Sequence, residues 1–364
     1  MVRRRGPGWL LRQGGKYFSI LLSPAVGRAL TGPVSFVLIL SYRCTHRCVM
    51  CDFPVRARAD VPEMSTGEAR GLIREAAGLP ASGVSFYGGE PLLRHDLPEL
   101  IAQARELGLA THLPTNGHLL DRRTAFAVVG AGIDLVTVSL DGSCAETHDR
   151  QRGAPGAFQR AVEAIRNVKE ARESLAAGTR LAAAMTITPG NLGEMVEVMN
   201  LARGLGADSF TVFEAQEVAT LPNRFSPAER QRLLDVNREL RGLKRCQPEF
   251  IDNTDDYLDL TRKILSGETA RLKCFAPYTD LFLDPYGNVY PCNYYLGLNR
   301  PIMKYRPGNL RALWYSREYR RRRLELAHCG RCNYLCHREL SLIFNRGWPF
   351  RRPPITLPPF SRET

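Results

Sequence analysis

The sequence predicts an α/β fold: a partial (β/α)6 TIM-like barrel with a small C-terminal cysteine-rich domain. Three observations lead there. Six short apolar runs alternate with helical patterns between residues 34 and 214, and such alternation gives parallel strands covered by helices. No GxGxxG opens the first helix, which disfavours an open dinucleotide-binding sheet. A separate group of cysteines begins at Cys274, beyond the alternating region.

The elements follow in order. Residues 34–40 form a short apolar run bounded by Gly32-Pro33, the mark of a fully buried strand. Strands are expected at 84–87, 109–113, 135–140, 181–187 and 209–213. The intervening helices are expected at 66–78, 95–107, 121–130, 157–173 and 192–205. In the second of these, Leu97, Leu100, Ile101, Ala104 and Leu107 recur at helical spacing; in the fourth, Phe158, Val162, Ile165 and Val168 do. Residues 1–33 read as a basic arm and 34–214 as the barrel. Residues 215–273 read as a polar connector with one helix near 227–241. Residues 274–340 read as the cysteine-rich domain, and 341–364 as a Pro/Arg-rich tail expected to be extended.

The chain has 364 residues, 44% of them hydrophobic, and a formal charge of +13. Two domains of ordinary globular composition fit that length. No apolar run approaches the roughly 18–20 residues that a membrane span needs. Residues 1–30 carry six basic side chains and no acid, and residues 337–364 add a net +3, so the ends hold most of the excess. Such a surface attracts acidic redox partners or anionic lipid, or it simply keeps the protein soluble; no nucleic acid is expected. The arginines before Trp9, Leu10 and Leu11 superficially suggest a signal peptide, but Gly14, Gly15, Lys16 and Pro24 interrupt its apolar core. Ten cysteines in metal-like spacings are not a disulfide framework, and a cytoplasmic location is expected. Leu10, Leu11, Tyr17, Phe18, Leu21 and Leu22 fall near helical spacing among basic residues. That pattern suits either an arm packed on the barrel or peripheral contact with the inner membrane face.

The chemistry concentrates at the strand ends. Cys44, Cys48 and Cys51 lie in CTHRCVMC directly after the first strand. Three thiolates on one loop would hold three irons of a cubane cluster and leave the fourth iron open to a ligand. Zinc and spare buried thiols are the other readings of that spacing. Gly88 and Gly89 end the second strand and let the backbone approach a neighbour closely; Glu90 follows with a carboxylate at the barrel mouth. Thr137, Ser139 and Asp141 alternate with Val138 and Leu140, so strand periodicity puts them on one face. Asn116 is either a ligand contact or a left-handed turn residue.

CTHRCVMC, YGGEP, PTNG and SLDGS, each at a successive strand end, together resemble a radical S-adenosylmethionine enzyme. The run Cys274, Cys292, Cys329, Cys332 and Cys336 is similar to the SPASM/twitch subgroup. The resemblance implies a SAM-binding 4Fe-4S cluster on Cys44, Cys48 and Cys51, and reductive cleavage of S-adenosylmethionine to a 5′-deoxyadenosyl radical that abstracts hydrogen from substrate. It implies that Gly88, Gly89 and Glu90 hold the methionine ammonium, that Ser139 contacts the ribose with Asp141 as a weaker candidate, and that Arg152 pairs with the carboxylate, Arg150 being its rival. It implies that the strand Thr211 to Phe213 lines the adenine through its backbone. Met50 stands where relatives usually carry an aromatic residue, and its thioether can still pack on a ring. It further implies one auxiliary 4Fe-4S cluster, with Cys274, Cys292, Cys329 and Cys332 as ligands and Cys336 a fifth candidate; zinc is the alternative there. A flavodoxin or ferredoxin-type electron donor is expected. Peptide or protein modification leads as the reaction. A lipid, sugar or other small molecule is the alternative substrate, and a non-catalytic iron–sulfur redox protein the remote one. Asn293, directly after Cys292, replaces the aspartate of sulfatase-maturing relatives and speaks against that reaction. Some thirty residues before the first strand are too few for a winged-helix leader-binding module. His46 is expected to face solvent in its loop, and Cys144 and Cys246 to be ordinary thiols.

Overall fold

The six apolar runs become six strands in the computed structural model, which describes residues 7–215, 225–268, 272–326 and 335–346. They are β1 (Ser35–Ile39), β2 (Gly83–Tyr87), β3 (Ala110–Thr115), β4 (Leu135–Ser139), β5 (Arg180–Ile187) and β6 (Ser209–Glu214). Each pairs in parallel with the next, so the sheet order follows the chain. One face of every strand enters the main core: Phe36, Leu38, Val84, Phe86, Val136 and Val138 are all buried there against the helices. The residues between them form the inner face of a partial barrel.

The covering helices start and stop where local chemistry says they should. Ser65 caps Thr66–Gly78 in a reciprocal capping box with Glu68, and Asp121 caps Arg122–Gly130 through the Thr124 N–H. Leu97–Glu106, Ala157–Ser174 and Met195–Gly204 sit close to the expected positions. The helix Ala145–Arg152 was not expected, because its eight residues are almost uniformly polar and show no apolar stripe.

The cysteine-rich region does not stand apart. β7 (Asp280–Leu283) pairs in parallel with the free edge of β1, and β8 (Asn288–Tyr290) and β9 (Met303–Lys304) extend the sheet in antiparallel fashion to nine strands. The hairpin turn between β7 and β8 depends on Asp284, whose Oδ1 accepts from the backbone N–H of Tyr286 and Asn288, and on Gly287 at φ +81°.

The connector holds two helices among its described residues, Pro227–Cys246 and Asp255–Leu265, rather than one. Ile251 forms a parallel bridge with Phe210, so this segment covers the edge of β6. The arm is a helix, Pro7–Val26, with Ile20 and Leu21 in the core. Lys16 reaches the carbonyls of Pro33 and Pro80, just ahead of β1 and β2, which seats the helix at the end of the sheet where strands begin. Residues 335–346 are helical, so the start of the expected tail is not extended; its remainder lies outside the described residues. No described helix is long and apolar enough to cross a membrane.

Candidate active site at the barrel mouth

The loop after β1 is held from two sides. From β2, the N–H groups of Gly89 and Glu90 donate to the carbonyls of Ser41 and Arg43. A Cβ on Gly88 would lie 2.5 Å from the Ser41 oxygen, and one on Gly89 only 2.3 Å from that of Arg43. Both glycines are therefore needed to bring the GGE turn against the cysteine loop. From the other side, the N–H groups of Arg47 and Val49 donate to the carbonyls of Arg152 and Gln151, at the end of Ala145–Arg152. Gly153, at φ +56°, closes that helix against the Arg47 carbonyl.

Cys44 and Cys48 are half-buried and Cys51 is exposed. Each of the first two faces a donor: Asn116 Nδ2 lies 3.6 Å from Cys44 Sγ, and Arg152 Nη1 3.8 Å from Cys48 Sγ. Burial pushes the Cys44 thiol up, with Glu90 and Cys48 adding to the rise. Soft thiols on one loop, with a cationic and an amide donor turned toward their sulfurs, fit an anionic iron–sulfur centre.

Glu90 is fully buried. Its carboxylate accepts from Thr115 Oγ1 and from the backbone N–H of Asn116 and Leu92. Burial raises it to about 7, while these donors pull it back. Asn116 serves the turn, its Oδ1 accepting from the His118 N–H, although Gly117 and not Asn116 takes the left-handed conformation; its Nδ2 reaches Thr45 as well as Cys44. Arg152 and Asp141 form a buried ion pair, Nη2 to Oδ2 at 2.7 Å. Asp141 Oδ1 also accepts from the Thr186 N–H, so this carboxylate anchors β4 to β5 and holds Arg152. Arg150 instead points outward to Glu146 and the Gly190 carbonyl. Ser139, on β4, and Phe213, on β6, are half-buried on the inner face, and Met50 is half-buried in the cysteine loop.

His46 does not face solvent. It is 1% exposed, meets the His118 ring edge-on at 5.4 Å, and neither of its nitrogens has a partner. The loop folds back under Arg47, whose guanidinium takes the carbonyls of Cys44 and His46 and leaves the imidazole inside. Burial, then Arg152 and His118, lower His46 to about 4, so it is neutral. Nothing in the sequence around His46 distinguishes an inward loop histidine from an outward one. Thr115, the hydroxyl on Glu90, was equally silent.

At the second group, Cys292 is buried and Cys274 half-buried. Cys329 and Cys332 lie outside the described residues, and Cys336 is described by its backbone only, in the first turn of Leu335–Arg346. Three buried donors in this region, Tyr278 Oη, Tyr319 Oη and Arg323 Nη2, have no partner among the described residues. Arg323 lies over the rings of Tyr319 and Trp314, 4.1 and 4.3 Å from their centres. Cys274 adds to the raised value of Tyr278, and Cys292 to that of Tyr319, after burial. Unsatisfied donors around buried thiols suit a polyanionic cluster as their acceptor. Cys144 and Cys246 are exposed.

Comparison with known proteins agrees with this geometry. The radical SAM superfamily model matches residues 38–202, and an iron–sulfur cluster-binding domain of the SPASM type matches 274–336. An AdoMet-dependent heme synthase of Methanosarcina barkeri is 28% identical over 319 residues, covering 81% of this chain and 87% of that protein. The PqqA peptide cyclase of Gluconobacter oxydans is 29% identical over 270 residues, covering 72% of this chain and 70% of that one. Among solved structures, Streptococcus suis SuiB bound to S-adenosylmethionine superposes with a TM-score of 0.64 at 19% identity, over 80% of this chain and 68% of that one. The anSMEcpe enzyme with bound AdoMet does so with a TM-score of 0.61 at 17% identity, over 84% and 88%; both show a shared fold. A three-cysteine loop backed by a buried glutamate, on a parallel partial barrel continued by a cysteine-rich sheet extension, belongs to an enzyme that uses 4Fe-4S clusters and S-adenosylmethionine: the chain is a member of the radical SAM superfamily, in its SPASM subgroup.

Proposed function

We propose that the enzyme modifies a peptide or protein, abstracting hydrogen from a neutral side chain held inside the barrel. The observation that carries this reading is the character of the inner face. Ser85 and Tyr87 on β2, His112 on β3, Thr137 and Ser139 on β4, Thr186 on β5, and Thr211 and Phe213 on β6 are all half-buried there and uncharged. His112 bridges Ser85 Oγ and Thr137 Oγ1 at 3.2 and 3.0 Å, and burial lowers it to about 4, so it is neutral too. Beside it stands an apolar and aromatic wall of Val37, Ile39, Phe282 and Tyr290, with Phe53 and Tyr87 packed on it. The charged residues on this face of the described strands stand at strand ends: Arg180 and Asp280 begin β5 and β7, and Lys304 closes β9. A neutral, partly aromatic lumen suits an uncharged side chain and offers no counter-charge to a polyacid.

When bound, S-adenosylmethionine and its cluster supply the 5′-deoxyadenosyl radical. In this reading Cys44, Cys48 and Cys51 hold that cluster and Glu90 receives the methionine ammonium. Arg152, steadied by Asp141, takes the carboxylate. Ser139, Met50 and Phe213 line the nucleoside, and Cys274, Cys292, Cys329 and Cys332 supply the auxiliary ligands, with Cys336 as a fifth candidate. The basic surface suits an acidic flavodoxin or ferredoxin as donor, and rates insensitive to ionic strength would count against that.

The similarity to AdoMet-dependent heme synthases favours a second reading, a small-molecule substrate of the tetrapyrrole kind. The two separate in one assay. Anaerobically reconstituted, reduced enzyme is offered a peptide encoded beside its gene or an iron porphyrin bearing propionates. Mass change in the peptide, coupled to 5′-deoxyadenosine release, is expected; turnover of the porphyrin alone refutes the peptide reading.

A further inference from the structure

Six of the eleven exposed large apolar side chains among the described residues gather at one place: Phe18, Leu22, Val26, Leu30, Leu324 and Ile343. The helix Pro7–Val26 presents two apolar stripes. The inner one, with Ile20 and Leu21, is buried, and Tyr17 stacks on Phe344 at 5.1 Å. The outer one is Phe18, Leu22 and Val26, spaced i, i+4, i+8, and these are 65%, 47% and 48% exposed. The stripe continues onto neighbouring helices. A Cβ on Gly27 would lie 3.2 Å from Leu324 Cδ2, and the Tyr17 hydroxyl reaches the carbonyl of Ile343. An exposed apolar stripe with further exposed apolar side chains on the helices packed beside it marks an interaction surface.

Charge identifies the partner. Residues 1–30 contain no acid. Arg28, Arg317 and Arg320 are exposed around the strip, and none has a carboxylate partner among the described residues. Glu318 and Glu325, on the helix Arg317–Leu326, are already taken by Arg321 and Arg322. An outward apolar stripe with a net cationic rim matches an anionic bilayer surface, where side chains enter the acyl boundary and arginines meet headgroups. A second copy of the chain would oppose two cationic rims, which repel.

We propose that this face docks the enzyme on an anionic lipid bilayer with the barrel mouth turned away from it. The orientation follows from Lys16, which ties the helix to the carbonyls of Pro33 and Pro80, before β1 and β2, whereas the cysteine loop and Glu90 follow the far ends of those strands. The bilayer then serves as an anchor, and substrate enters from the aqueous side.

The test uses the full chain in vesicle flotation, with phosphatidylcholine alone or with about 30% phosphatidylglycerol. Wild type is expected to float with the anionic vesicles about tenfold more than with neutral ones, and to be released at high salt. The variant Phe18→Ser/Leu22→Ser/Val26→Ser is expected to lose about tenfold in flotation. It should keep its melting temperature and cluster content, since the replaced side chains face outward. Arg28→Glu/Arg317→Glu should lose the anionic preference specifically. No flotation of wild type, or flotation unchanged in both variants, overturns the proposal. So does light scattering that finds a wild-type dimer split by the serine variant, because a second copy then covers the strip.

Discussion

Arg152 Nη2 stands 2.7 Å from Asp141 Oδ2, both side chains buried, and the same guanidinium turns Nη1 toward Cys48 Sγ at 3.8 Å. One carboxylate at the end of β4 thereby sets the position of a cation beside the cluster loop, while Arg152 Nε stays without a partner. Breaking one half of a buried pair leaves the other charge stranded. Asp141→Asn keeps the shape and can still accept from the Thr186 N–H. It is expected to cost about 3–5 kcal/mol in denaturant unfolding of the cluster-free protein. The hydrophobic pair Asp141→Leu/Arg152→Met should recover much of that loss without restoring S-adenosylmethionine binding by calorimetry. A single Asn variant as stable as wild type would show that the pair does not hold the loop.

Cys48→Ala is expected to abolish 5′-deoxyadenosine release and to remove the SAM-binding cluster, leaving the auxiliary iron in place. Iron analysis and EPR of anaerobic samples check this. Persistent cleavage would mean that the open-iron cluster lies elsewhere.

Gly153 sits at φ +56°, where a Cβ would be 2.2 Å from the Arg47 carbonyl oxygen. Gly153→Ala must move the Arg47 backbone, and the left-handed conformation adds about 1 kcal/mol or more. The expected outcome is lower iron incorporation at Cys44, Cys48 and Cys51, with auxiliary-cluster absorbance retained. Gly156, also left-handed at φ +77°, has no atom within 4 Å of its would-be Cβ. Gly156→Ala is therefore the control for backbone strain alone.

Glu90 carries a pH signature. Burial lifts it from 4.5 to about 7 in the ligand-free protein. The folded value exceeds the unfolded one, so its favourable contribution is complete below about 4.5 and is lost as the pH rises through about 7. Glu90→Gln removes that dependence. The stability of the variant relative to wild type should improve by on the order of 2 kcal/mol between about pH 5 and pH 8. Parallel stability curves for the two proteins would show that Glu90 does not titrate in this window.

Much of the fold could be read before any coordinates, for a definite reason. The six strands are short apolar runs and five of their helices carry apolar stripes, so local pattern and tertiary burial agree. The three-thiol loop was legible because its pattern is local: Cys44, Cys48 and Cys51 fall within eight residues of chain. The helix Ala145–Arg152 was not, since its polar sequence has no stripe and its burial comes from tertiary contacts with Phe158, Thr188 and residues 47–49.

By itself, then, the sequence determined the strand–helix alternation, the three-thiol loop with Glu90, and the separate cysteine group, because each depends on periodicity or on spacing along the chain. Only the tertiary structure decided that Asp141 holds Arg152, that His46 turns inward, and that β7 joins the cysteine-rich region to the edge of β1. It also decided that the arm spends one apolar stripe on the barrel and leaves another outside. Those outcomes rest on which distant groups meet and on how much water is excluded when they do, and neither is written in any local stretch of residues.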